Sequence, residues 1–344
     1  MSKMNLVSKG LISAAALAVG MSVAGGSVQA QTELNLSYFV GAPHPMNKAV
    51  VSPFKEQVEA ACPSLTITGH YGGSLVKGGP PQYGALLQGV SDIAFGLPGY
   101  TGQVFPFSTA ITVPGITDDG IDATRKLWNA IGLIETEYNA KIVALWSVDP
   151  KILLTKKRIN SIADLEGLKI RVTSPQDEPY LNALGMIGVS QPVPVVHQNF
   201  TNGVIDGVHI GASAIGSFKL HEPAEYVITN LPISSSAMFL LMNKDVYNGL
   251  SSAEKKCVDD ASGLDLSLRG ATRYNELFAA GVNLAKQNGV TEIRLTDAQR
   301  DEWLARMQPV VDDFLSSTVN VSQSIATANI TGKQLVDAFN GLSN

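Results

Sequence analysis

The stretch of this chain richest in chemically useful residues is 151–172, KILLTKKRINSIADLEGLKIRV. Ser161 opens a short helical segment that Gly167 ends. Residues 168–172 then alternate as a strand does, with Leu168, Ile170 and Val172 on one face and Lys169 and Arg171 on the other. In an open α/β sheet, ligands bind beside the carboxyl ends of strands. An arginine placed there offers a planar fork of donors that fits a carboxylate in bidentate fashion. Arg171 is therefore the leading candidate for a ligand contact; the alternative is an exposed arginine paired with a surface acid. The histidines His44, His70, His197, His209 and His221 form no i, i+4 metal pair. The G-x-S-x-G elbow, H-E-x-x-H, the phosphate-binding loop and the dinucleotide glycine fingerprint are all missing. That combination favours a binder over an enzyme.

Weaker candidates surround Arg171. Tyr100, on a Gly- and Pro-rich loop, offers a ring to stack or a hydroxyl to donate. His44, in the first strand-to-helix loop, and His209 each offer a donor to a carboxylate, or are ordinary surface or core histidines. Ser213 is a ligand contact or the N-cap of its helix. Trp146 walls the pocket or packs in the core.

These residues need elements to position them. Residues 34–40 and 65–71 read as strands around a helix at 47–61, whose apolar spacing runs through Val50, Val51, Phe54, Val58 and Ala61. A helix at 83–89, a buried strand at 92–96, a helix at 122–130 and a strand at 141–147 follow. The second half repeats the rhythm with a helix at 161–165, a strand at 168–172, a helix at 178–184, a strand at 207–210 and a helix at 213–219. Residues 237–243 (AMFLLMN) read as a strand buried on both faces. Residues 252–288 form a long helical pattern with Ser252 as N-cap; Gly263 and Gly270 interrupt it and predict a bend or two helices. Amphipathic helices at 297–315 and 333–342 close the chain. The alternation predicts α/β layers.

The chain has 344 residues, 45% hydrophobic and 16% charged, which suits two domains at roughly 100–200 residues each. No linker separates two halves, so the domains are expected to interleave. A net charge of -5 without a clustered basic run argues against a nucleic-acid surface. Lys3 and Lys9, an almost uncharged stretch at 10–26 and the small residues up to Ala30 read as a signal peptide, 1–30, cleaved after Ala30. The alternative, a membrane anchor, is disfavoured by a short apolar stretch rich in Gly and Ala. Export to the periplasm is thus expected, with no direct membrane insertion of the mature chain. Export also permits a disulfide, and Cys62 and Cys257 are the only cysteines. A bonded pair and two unpaired thiols both remain open. No zinc-type spacing is present, and no cofactor or metal is expected.

The segment Ile159-Asn160-Ser161-Ile162-Ala163-Asp164-Leu165-Glu166-Gly167-Leu168-Lys169-Ile170-Arg171-Val172 carries a family resemblance. Supporting it are Gly203-Val204-Ile205-Asp206-Gly207, Gly89-Val90-Ser91-Asp92-Ile93-Ala94, and Pro98-Gly99-Tyr100-Thr101 with Phe105-Pro106. The chain resembles the periplasmic solute-binding subunits of tripartite ATP-independent periplasmic (TRAP) transporters, the DctP-like family, over essentially the whole mature chain.

The resemblance implies an α/β, two-domain periplasmic-binding-protein-like fold with crossing strands, a ligand cleft between the domains and a long back helix. Domain I is then expected at about 31–149 plus 232–275, and domain II at about 150–231 plus 276–344. It further implies that Arg171 grips the carboxylate of a small organic acid, that the cleft closes by a hinge, and that TRAP membrane subunits receive the solute. Two departures bear on the ligand. Lys151 stands where related binders of sialic acid and C4-dicarboxylates carry a second arginine, and Ile210 replaces a common asparagine. The segment at 194–203 is also a few residues shorter. A monocarboxylate, or an acid with an apolar body, is the expected solute. Alternatives are a receptor that signals to a sensor kinase and a periplasmic enzyme on the same scaffold.

Overall fold

The computed structural model describes residues 31–232, 235–320 and 329–342; the expected signal segment lies outside them. Eleven strands build two sheets. In chain order they are β1 (Thr32–Tyr38), β2 (Leu65–Tyr71), β3 (Ile93–Gly96), β4 (Ala140–Ser147), β5 (Lys151–Thr155), β6 (Lys169–Val172), β7 (Ile187–Ser190), β8 (Gly207–Gly211), β9 (Tyr226–Ile228), β10 (Ala237–Asn243) and β11 (Thr291–Ile293). The first sheet runs β2-β1-β3-β10-β4 and the second β11-β9-β5-β8-β6-β7. Both sheets mix directions. β1 pairs in parallel with β2 and β3, while β10 runs antiparallel to β3 and β4. β5 is antiparallel to β8 and β9, and β6 is parallel to β7 and β8.

The chain passes between the sheets through Val148-Asp149-Pro150, which links β4 to β5, and again between β9 and β10. A third passage is the helix Leu264–Gln287, which runs from the β10 side to β11. Gly270 was expected to interrupt this helix, but it lies inside it. A Cβ at Gly270 would press on the Trp146 ring and Val50, and one at Gly281 would strike the Ala212 carbonyl. These two glycines let one helix seat closely on β4 and on the turn after β8. Gly263 does break the pattern, with φ +109, and divides this helix from Ser252–Asp260.

Two local expectations need correction. The N-cap of Ser252–Asp260 is Ser251, not Ser252: its hydroxyl accepts from the Glu254 N–H, and the Glu254 carboxylate accepts from the Ser251 N–H, a full capping box. The helix expected at 47–61 begins as a wider π turn, Asn47–Val51, in which the Ser52 N–H reaches back to the Asn47 carbonyl before Ser52–Ala61 continues as an α-helix. Pro53, with no N–H to donate, follows directly.

Cys62, at the end of Ser52–Ala61, and Cys257, in Ser252–Asp260, form a disulfide with Cα atoms 6.2 Å apart. It ties Ser52–Ala61 to the helix before the long back helix, across 195 residues.

Candidate functional site

The family-bearing motifs act as scaffolding for Arg171. Ser161 and Asp164 form a capping box, and Gly167, at φ +72, turns the chain into β6. The Asp206 carboxylate accepts from the Lys169 N–H at 2.8 Å, and the Asp206 N–H donates to the Lys169 carbonyl at 2.7 Å. The Asp-Gly pair thus fixes the first residue of β6 against the start of β8. Ile170 and Val172 point into the core. Arg171, on the opposite face, is 1% exposed and lines a cleft. Its Nε donates to the Gln191 carbonyl at 2.9 Å, and Nη1 donates to Thr173 Oγ1 at 3.1 Å. These bonds hold the guanidinium plane and leave its remaining donors for a ligand.

Of the other expected residues, Lys151, Tyr100, Ser213 and His44 line the same cleft as Arg171. His209 does not. It sits in β8 opposite Leu153, 1% exposed, with neither ring nitrogen hydrogen-bonded. Burial, and the positive charges of Lys151 and Arg171, drive its pKa well below the ordinary histidine value, so it is neutral. Trp146 is fully buried and stacks on Phe95, a core role; Phe95 itself lines the cleft.

Each cleft residue has its own setting. Lys151 Nζ lies 2.9 Å from Asp177 Oδ2, with both side chains at most 2% exposed. The Tyr100 hydroxyl accepts from the Val193 N–H at 3.2 Å; burial raises its pKa and Arg171 opposes that rise. His44 is pushed down to about 4 by burial and is neutral at physiological pH. Its Nδ1 is 2.7 Å from the Tyr38 hydroxyl.

Ser213 stands at the N-cap position of the helical turn Ala214–Ser217, as expected, but its side chain makes no cap bond. Its N–H and hydroxyl instead donate to the two oxygens of Asp149, at 2.9 and 2.5 Å. Asp149 is a cleft residue that the sequence reading missed. It is fully buried on the passage between the sheets, and burial raises its carboxyl from 3.8 to about 6 against the Ser213 bonds. The signal available was an acid placed directly between two strands. Gly211 makes room for it, since a Cβ there would collide with Asp149 Oδ1.

The rest of the wall is mainly apolar, with several aromatic rings and the hydroxyls of Ser217 and Ser236. Phe39 stacks on Phe95 at 5.5 Å and meets the Tyr100 ring edge-on at 6.2 Å, and Phe218 approaches His44. Val193, Ile210 and Met238 add aliphatic surface. A fixed guanidinium fork beside mainly apolar walls suits one carboxylate on an apolar body. Among the described residues, no group of three or more His, Cys, Asp or Glu could hold a metal, and no helix is long and apolar enough to cross a membrane.

Comparison with known proteins agrees with this geometry. A family model, "Bacterial extracellular solute-binding protein, family 7", matches residues 36–318. The ectoine-binding periplasmic protein TeaA of Halomonas elongata is 24% identical over 241 residues, 66% of this chain and 69% of TeaA. A marine-metagenome TRAP solute-binding protein specific for aromatic acid ligands, solved with 3-hydroxybenzoate, superposes with a TM-score of 0.83 at 26% identity, covering 91% of this chain and 98% of that one. A TRAP solute-binding protein from Rhodoferax ferrireducens, solved with copurified benzoate, gives 0.80 at 24%, covering 91% and 97%.

Proposed function

The chain belongs to family 7 of the bacterial extracellular solute-binding proteins and is a TRAP-type solute receptor for a small organic acid; we propose that this acid is an aromatic monocarboxylate. Its carboxylate lies on the Arg171 fork and its ring lies among Phe39, Phe95, Phe218 and Tyr100. The single observation that carries this reading is a buried guanidinium, fixed by Gln191 and Thr173, facing a mainly apolar cleft into which the rings of Phe39, Phe95, Tyr100 and Phe218 are built. Two relatives of the same fold hold aromatic acids, in keeping with it.

The mature receptor works in the periplasm after loss of residues 1–30, and it releases its ligand unchanged rather than turning it over. Two lobes close on the solute, one at about 31–149 plus 232–275 and the other at about 150–231 plus 276–344. Closure produces the form that the TRAP membrane subunits receive.

A thermal-shift panel tests the ligand class. Benzoate, hydroxybenzoates and phenylacetates are expected to raise the melting temperature, with about 2.7 kcal/mol of added stability at a hundredfold excess over Kd. A panel in which only polyhydroxylated sugar acids give a shift would contradict the reading.

A further inference from the structure

We propose that Asp177 sets how many carboxylates the cleft accepts: by pairing with Lys151 it cancels one of the two cations in the wall, so that the site takes one carboxylate at Arg171 and excludes dicarboxylates. The proposal rests on the carboxylate-receptor reading above.

Lys151 on β5 and Arg171 on β6 flank β8, and both line the cleft. Two buried cations side by side invite two anions. Lys151, however, already has one. Its ammonium meets Asp177 Oδ2 at 2.9 Å, with 1% and 2% of the side chains exposed, so water screens the pair little. Asp177 stands outside the cleft wall, at the end of the turn Pro175–Asp177 that follows β6. Its Oδ1 has no hydrogen-bond partner, so Lys151 is the partner that engages this carboxylate. The same carboxylate also acts on Arg171. Lys151, Arg171 and Asp177 together carry one positive charge. The other groups facing the site add no cation: His44 and His209 are neutral, and Asp149 contributes negative charge. A second ligand carboxylate therefore enters a site with no cation to meet it.

The test compares ligands of matched size on the mature protein by isothermal titration calorimetry: isophthalate against its monoamide, and succinate against succinamate. Wild type is expected to prefer the monoanion of each pair at least tenfold. Asp177→Asn should shift that ratio at least tenfold towards the dianion, Asp177→Glu should keep the wild-type ratio, and adding Lys151→Met to Asp177→Asn should remove the gain. Equal wild-type affinity for dianion and monoanion would overturn the proposal, as would a folded Asp177→Asn protein with an unchanged ratio. If Asp177→Asn fails to fold, the wild-type comparison decides alone. Wild type that binds no carboxylate, benzoate included, would overturn the receptor reading itself and this proposal with it.

Discussion

The Tyr100 hydroxyl accepts a hydrogen bond from the Val193 backbone N–H at 3.2 Å, joining the loop after β3 of the first sheet to the segment after β7 of the second. Both residues line the cleft, so on the hinge reading proposed above this contact belongs to the closed form. Tyr100→Phe removes the acceptor and keeps the ring. A neutral hydrogen bond contributes about 1 kcal/mol. Affinity for a monocarboxylate should fall about fivefold, and small-angle scattering of the ligand-free protein should show a larger radius of gyration. An unchanged affinity would mean that the bond does not contribute to closure.

Asp149 should make binding depend on pH. Its carboxyl titrates at about 6 in the folded protein, against an ordinary value of 3.8. The folded state therefore binds more protons than the unfolded one between these values. The stability Asp149 contributes is fully present below about pH 4 and is lost as pH rises through about 6. A carboxylate bound at Arg171 adds negative charge to the same cleft and raises the Asp149 pKa further. Binding should thus take up protons, and affinity should fall severalfold from pH 6 to pH 8. Calorimetry in buffers of different ionisation enthalpy reads the proton directly; Asp149→Asn should abolish the uptake. Proton release on binding would contradict this.

The Cys62–Cys257 bond closes a loop of 195 residues. Constraint of the unfolded chain on that scale is worth roughly 5 kcal/mol in the loop-entropy picture, and losing a native disulfide typically costs about 2–5 kcal/mol. Cys257→Ser should lower the urea midpoint by a matching amount without changing the denaturant slope by more than the altered compactness of the unfolded state. Equal midpoints with and without reductant would show that the bond does not form in solution.

Gly281 lets the back helix touch the Ala212 carbonyl, one residue before Ser213. Gly281→Ala forces backbone apart rather than a flexible side chain. It should lower the melting temperature by several degrees and weaken ligand binding, because the turn that positions Ser213 on Asp149 must move. Gly84→Ala, where a Cβ meets open space, is the control expected to leave both unchanged.

Much of this was legible in the sequence. The alternation around Ile170 and Arg171 placed the guanidinium on the face away from the core, where the cleft lies, because a period of two is a direct consequence of strand geometry. Gly167 and Asp206 marked the turns that fix it. Strand β5 was not recognised, because its five buried residues, KILLT, show no alternation. That hid the neighbour relation between Lys151 and Asp177, which lie 26 residues apart in the chain. Asp149 escaped for a similar reason: only the folded chain brings the Ser213 turn, 64 residues away, against it. Gly270 read as a helix breaker because glycine lowers helix propensity, whereas close packing against Trp146 requires it.

The central claim is that Arg171 holds the ligand carboxylate. Titration calorimetry of wild type, Arg171→Ala and Arg171→Lys with benzoate tests it most directly. A charge-assisted bidentate pair in a buried cleft should be the strongest single contact, so Arg171→Ala should lose at least a hundredfold in affinity. Arg171→Lys, which keeps the charge but loses the fork, should fall in between. A folded Arg171→Ala protein that binds benzoate as tightly as wild type would contradict the claim.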